Sequence, residues 1–201
     1  MSLVQAYIYR DFIVVAGEQR AKLNNGEILE NFVKVRKISD TAIIGMTGTI
    51  EGNAKLFSEF INSDFSLRGD FSCVSYNDIC KSLCKSYYDN YDYLQVHNVH
   101  SVLCGWDGVK MTGKAFFTKD DNPNKNGIHD LTPQDAETVR VVSCGLNVHY
   151  NNAIEFGKSV SIINITQMKN IFKNVLQIGI KLDDSINNKA TFERIRKVDV
   201  I

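Results

Sequence analysis

The stretch at residues 12–21, Phe-Ile-Val-Val-Ala-Gly-Glu-Gln-Arg-Ala, runs five apolar side chains straight into Gly17, Glu18, Gln19 and Arg20. An acid and a base at the end of a buried strand suit either proton chemistry or a structural ion pair, and the residue types alone leave both open. Lys34, at the start of the later run 33–38, raises the same choice. His97 and His100 stand three apart, but no third metal ligand lies near them in sequence, so a strand-edge role is the reading. His129 in a polar loop and His149 on a short helix have no evident partner. Cys144, in Val-Ser-Cys-Gly, would need a base and an electropositive site to act as a nucleophile. No histidine presents itself for that role, and structural burial fits better. The tyrosines of 86–94 read as packing at a helix end.

The elements that would position these groups follow from hydrophobic periodicity. Residues 4–9 and 12–16 read as two strands around a tight turn. Residues 33–38 alternate apolar with Lys34 and Arg36, and 41–46 form another strand. A helix follows, with Ile50, Ala54, Phe57, Phe60 and Ile61 on one face and Thr47 or Thr49 as its cap. A second helix over 75–90 turns Ile79, Cys80, Leu83, Cys84 and Tyr87 inward. Two strands flank the turn at Asp107 and Gly108, and a polar loop over 118–137 holds both prolines. A strand at 138–144, a short helix at 147–157, a long helix at 166–184 and a strand at 190–198 complete the order. The long helix turns Met168, Ile171, Phe172, Val175, Gly179 and Leu182 inward. Strands, helices, strands, helices and a last strand suggest a layered α+β fold, and not a parallel doubly wound sheet. Glycine-rich phosphate motifs are absent, so nucleotide binding has no support.

The totals agree with a globular chain. There are 201 residues with 23 basic and 23 acidic side chains, and the formal net charge is zero. That balance leaves no electrostatic footprint for nucleic acid or an anionic membrane. The apolar runs are strand-sized, and no signal segment is visible. Cys73, Cys80, Cys84, Cys104 and Cys144 are odd in number and form no C-x-x-C pair. They read as reduced thiols of a cytoplasmic protein.

A family comes into view over a gapless stretch from Ser2 to Ile61. It covers the two opening strands, the Ala-Gly-Glu-Gln-Arg-Ala corner, the segment Lys-Val-Arg-Lys-Ile-Ser-Asp-Thr-Ala-Ile-Ile-Gly-Met-Thr-Gly, and the helix after it. More weakly it extends to Leu-Cys-Gly-Trp-Asp, Val-Val-Ser-Cys-Gly and the final segment from Asp183. In these motifs the chain resembles the proteasome-type N-terminal nucleophile hydrolases, the family of proteasome β subunits and HslV-type peptidases. The resemblance places Ser2 on the nucleophile, Glu18 on the corner acid, Arg20 on the arginine after it and Lys34 on the active-site lysine. Met46 falls on a position that shapes the substrate pocket, and Gly48 on the oxyanion-hole glycine. Cys144 falls near the auxiliary serine, and Asp184 and Asn187 near the auxiliary aspartate and serine, with Asp183 as the other register.

The implied chemistry has stated needs. A terminal hydroxyl is a weak nucleophile until a base takes its proton, and a free α-amine, with pKa roughly 7.7–8.0, can be that base. A nearby ammonium lowers the pKa of both groups, and a carboxylate holds that ammonium in place. Losing one oxyanion donor costs about 3–4 kcal/mol of transition-state stabilisation. The chain departs from the pattern at several points. Glu18 is one methylene longer than the usual Asp, Ser2 lacks the methyl of Thr, and Cys144 and Asn187 replace serines. Gly52 stands where an acid or serine is usual.

The resemblance therefore implies an α+β four-layer αββα sandwich, one domain over residues 1–201, without metal or cofactor. It implies a threonine/serine-type endopeptidase acting on peptides or unfolded proteins, a homo-oligomeric ring, and room for an ATP-dependent unfoldase. Nucleic acid and membrane are not expected partners. Two alternatives stay open: a catalytically inactive structural or assembly subunit that keeps the corner as scaffold, and a hydrolase of small amides.

Overall fold

The computed structural model describes residues 3–22, 25–62, 66–118, 126–134, 139–145, 164–182 and 186–200. Its centre is an antiparallel hairpin of β1 (Leu3–Ile8) and β2 (Phe12–Glu18), with Ala6 opposite Val15. Both strands are buried from end to end because both of their faces are covered. Side chains of a strand alternate between faces. Val4, Ala6, Ile8, Ile13 and Val15 enter one apolar cluster, while Leu3, Tyr7, Phe12, Val14 and Ala16 enter another.

Two later strands flank the hairpin. β10 (Arg140–Gly145) pairs with β1, and β11 (Ala190–Arg196) pairs with β2, giving the order β10-β1-β2-β11. Helix α4 (Ile165–Leu182) covers the Leu3 face with Met168, Ile171, Phe172, Val175 and Leu176, an i, i+3, i+4 stripe as the periodicity requires.

A second sheet runs β5 (Val35–Ser39), β6 (Ala42–Gly48), β7 (Val99–Trp106), β8 (Met111–Thr118) and β9 (Gly127–Asp130), all antiparallel. Val35, Ile43, Val102, Cys104 and Ala115 share a cluster with Val4 and Val15 of the hairpin. From the same strands Ile44, Met46, Leu103 and Phe116 pack with α1 (Ile50–Leu56), α2 (Tyr76–Asp89) and α3 (Tyr91–Gln95). Each large side chain buried there contributes roughly 1.5–3 kcal/mol. Ser75 caps α2 through its hydroxyl, and Ile79, Leu83 and Tyr87 are its buried face, as the spacing predicts.

Two expectations change, and one ladder is added. Helix α1 ends at Leu56, so Phe57, Phe60 and Ile61 fill the core from a following turn. The polar stretch 118–137 contains an edge strand, β9, held to β8 by its ladder and by the Lys114–Asp130 ion pair at 2.8 Å. The corner after β2 continues into a small ladder of β3 (Ala21–Lys22) and β4 (Ile28–Leu29). The helix expected over 147–157 lies outside the described residues. Among the described residues no helix is long and apolar enough to cross a membrane.

Candidate active site

The site starts at a close approach of the two sheets. A Cβ on Gly17 would stand 2.7 Å from Val35 Cγ2 and 3.4 Å from Lys34 Cβ, so β2 needs glycine there to let the next sheet approach. One residue on, Glu18 is completely buried, and Lys34 is only 2% exposed. The Lys34 ammonium donates to Glu18 Oε1 and to the Arg20 carbonyl. Glu18 Oε1 also accepts the Leu3 backbone N–H at 3.4 Å, and Oε2 accepts the Arg20 N–H at 2.6 Å. One carboxylate thus ties the first described residue of β1, the corner after β2 and the lysine before β5. A buried charge persists only when so partnered. Burial still pushes the Lys34 ammonium down from its ordinary value, to about 7. A lysine there exchanges its proton near neutrality, which suits a group placed beside acid–base chemistry.

A second set of bonds braces the corner from outside. Arg20 pairs with Glu30 at 2.7 Å. Asn187 donates to the Glu30 carboxylate at 2.9 Å and to the Glu30 carbonyl at 3.0 Å, and its Oδ1 accepts the Gln19 N–H at 3.3 Å. The Asn187 and Arg20 bonds hold the Glu30 carboxyl below its usual range.

The end of β6 borders the same place. Met46 N–H donates to the Lys34 carbonyl at 2.8 Å. Gly48, two residues on, has φ of +94°, and a Cβ there would stand 1.7 Å from the Asn98 carbonyl oxygen. No other residue fits that turn. Thr49 then caps α1 by accepting the Gly52 N–H. A Cβ on Gly52 would meet Val99 Cγ2 at 2.6 Å, so the acid or serine of the family pattern has no room.

The residues singled out from the sequence therefore fall into three groups. Glu18, Arg20, Lys34 and Asn187 form one bonded network, with Met46 and Gly48 on the strand bonded to Lys34. The side chain of Met46 packs in the core beneath α1 and α2. Cys144 stands opposite Val4, with its thiol in the cluster between the sheets, where burial pushes it well above the usual thiol range. Ser2, Asp183 and Asp184 lie outside the described residues. Among the described residues no cluster of three His, Cys, Asp or Glu could hold a metal. His97 stacks on Tyr93 and His100 meets Phe117 edge-on, as packing residues do. Two participants were not singled out from the sequence, Glu30 and Asn53. Asn53 is 3% exposed, and a polar side chain in an otherwise apolar helix stripe was the available signal.

No family model matches the chain, and no curated protein does. Solved structures do. The chain is similar to eukaryotic HslV from Trypanosoma brucei at TM-score 0.62 and 16% identity, over 96% of this chain and 99% of that one. It is similar to a Gly-1 mutant of Anbu from Hyphomicrobium sp. strain MC1 at TM-score 0.71 and 10% identity, over 98% and 82%. It is similar to Anbu, described as an ancestral beta-subunit, from Yersinia bercovieri at TM-score 0.70 and 10% identity, over 96% and 81%. Read with the hairpin, the corner and the lysine, these likenesses give the chain the proteasome-like fold of HslV- and Anbu-type subunits.

Proposed function

We propose that this protein is an N-terminal-nucleophile hydrolase of peptide bonds, with Ser2 as nucleophile once Met1 is removed. The observation that carries the reading is the Glu18–Lys34 pair, buried beneath the start of β1 and bonded to the Leu3 amide. The Leu3 amide is held there by the Glu18 carboxylate. The hydroxyl attacks the scissile carbonyl, and the terminal amine takes its proton. Lys34 sets the local field and, with its pKa pushed to about 7, passes a proton within the working range. The Gly48 N–H faces the developing oxyanion. The protonated amine gives that proton to the leaving peptide nitrogen as the C–N bond breaks, and water then hydrolyses the resulting ester, freeing the acid product and the Ser2 hydroxyl. The three clusters support an αββα order of layers in one domain, and a ring of copies would enclose the sites and exclude folded substrates.

The test is turnover of fluorogenic peptides by protein whose intact mass shows residue 2 at the terminus. Turnover abolished by Ser2→Ala and by Lys34→Ala supports the reading. A parent chain without turnover, or turnover that survives Ser2→Ala, refutes it.

A non-catalytic scaffold is the second reading, and it rests on the auxiliary positions. Cys144 faces the apolar core, and Asn187 is committed to Glu30 and Gln19. Under that reading the corner only fastens the sheets together, and mutation of Lys34 changes stability without any activity to lose.

A further inference from the structure

We infer that Asn53 is a positioning residue that aims the Gly48 N–H, acting through the single peptide plane it shares with Thr47. Asn53 is 3% exposed, and its side chain is bonded at the turn between β6 and α1 and to the strand beside it. Its Nδ2 donates to the Thr47 carbonyl and to the Thr49 carbonyl, both at 2.8 Å. The Ser101 hydroxyl, itself buried, donates to its Oδ1 at 2.5 Å. Carbonyl oxygens only accept, so the amide nitrogen must face them and its orientation is chemically fixed.

The Thr47 carbonyl and the Gly48 N–H belong to one planar trans peptide and point in opposite directions. Holding the oxygen therefore holds the hydrogen. Strand alternation gives the direction: Met46 N–H points to Lys34, and two residues on Gly48 N–H lies on the same edge of β6. The turn is fastened at two further points: the Thr47 hydroxyl donates to the His100 carbonyl at 2.7 Å, and Thr49 N–H donates to the Asn98 carbonyl at 2.6 Å. The relay from Ser101 through the Asn53 amide to the Thr47 carbonyl also polarises the Gly48 N–H, because hydrogen bonds in series strengthen one another. Gly52, kept small by Val99, brings no side chain to this turn.

The inference rests on the hydrolase reading for the use of that N–H, and it is tested apart from it. Asn53→Ala removes the clamp, and Ser101→Ala removes only the hydroxyl behind it and serves if the first variant does not fold. With peptide substrates, kcat is expected to fall about ten- to a hundredfold in Asn53→Ala and less in Ser101→Ala, since outright loss of an oxyanion donor costs about 10²–10³. KM stays within about threefold, because the donor acts only on the developing charge. A peptide boronate, whose tetrahedral adduct occupies the oxyanion position, loses affinity by the same factor as kcat. In 15N NMR spectra the Gly48 amide shows the largest displacement outside the residues flanking the substitution. If kcat stays within twofold in both folded variants, or KM rises as kcat falls, the positioning role is overturned and the hydrolase reading stands. If the parent chain neither turns over peptide nor binds the boronate, the hydrolase reading and the catalytic use of Gly48 fall together. The Gly48 amide then decides the peptide-plane claim: an undisplaced signal in Asn53→Ala overturns that as well.

Discussion

Replacing Lys34 with Met leaves the Glu18 carboxylate buried without its counter-ion. Its remaining donors are the backbone N–H groups of Leu3 and Arg20. Stranding one member of a buried pair typically costs about 3–5 kcal/mol, and the two surviving bonds place this case at the lower end of that range. The reverse change, Glu18→Gln, is milder. Lys34 is already pushed to about 7, and losing the carboxylate lowers it further, so at pH 6 it sheds its proton rather than remain an unpaired cation. The amide oxygen that this substitution introduces still accepts from it, and the cost is about 1–2 kcal/mol, the scale of an imperfect hydrogen bond. The double variant strands no charge and again costs about 1–2 kcal/mol. The cycle should therefore show the double less destabilised than the sum of the singles by about 2–3 kcal/mol. Urea unfolding of all four proteins at pH 6, where the parent keeps the Lys34 charge, reads it. Additivity within about 0.5 kcal/mol, or a Glu18→Gln cost above that of Lys34→Met, refutes the account of the corner as a buried, proton-exchanging pair.

The remaining predictions follow from the same geometry. Stability should rise with pH between about 7 and 10.5 through Lys34, because the unfolded chain holds the proton there and the folded chain does not, and this rise is missing in Lys34→Met by urea titration across that range. Gly48→Ala meets both the left-handed φ and the Asn98 carbonyl, so it should cost at least about 2 kcal/mol of stability by thermal melting and remove turnover, whereas Gly26→Ala, also at positive φ but with open space around it, should cost only about 1 kcal/mol. Gly17→Ala presses a methyl onto Val35 and should cost about 1–3 kcal/mol, read by the same melting experiment. Asn187→Ala frees the Arg20–Glu30 latch, costs about 1–3 kcal/mol, and should speed limited proteolysis near β3 and β4 more than elsewhere.

What could be read ahead of the structure was whatever rests on many side chains at once. β1 and β2 announce themselves by long apolar runs, and α2 and α4 by stripes such as Ile79, Leu83, Tyr87 and Met168, Phe172, Val175. The pairing of Glu18 with Lys34 was also legible through the family resemblance, and the two side chains form a buried ion pair. Short ladders were not legible. β3, β4 and β9 have two to four residues each, too few for a period to show, and their pairing is decided by neighbouring strands. Asn53 was missed for a related reason: its value lies in the closeness of Ser101, Thr47 and Thr49, which exists only once β7 lies against β6. Glu30 escaped notice likewise, since its partner Asn187 arrives from the far end of the chain.

The central place of the β1–β2 hairpin has a bearing on biosynthesis. Both of its long edges are filled by segments translated much later: β1 pairs with Arg140–Gly145, and β2 with Ala190–Arg196. Until those segments emerge from the ribosome, the apolar hairpin carries two open outer edges. Such non-local pairing folds slowly and leaves sticky edges open meanwhile. The innermost strands of the fold are thus made well before the strands that complete them, so yield in a cell depends on how well the hairpin is shielded until β10 and β11 arrive.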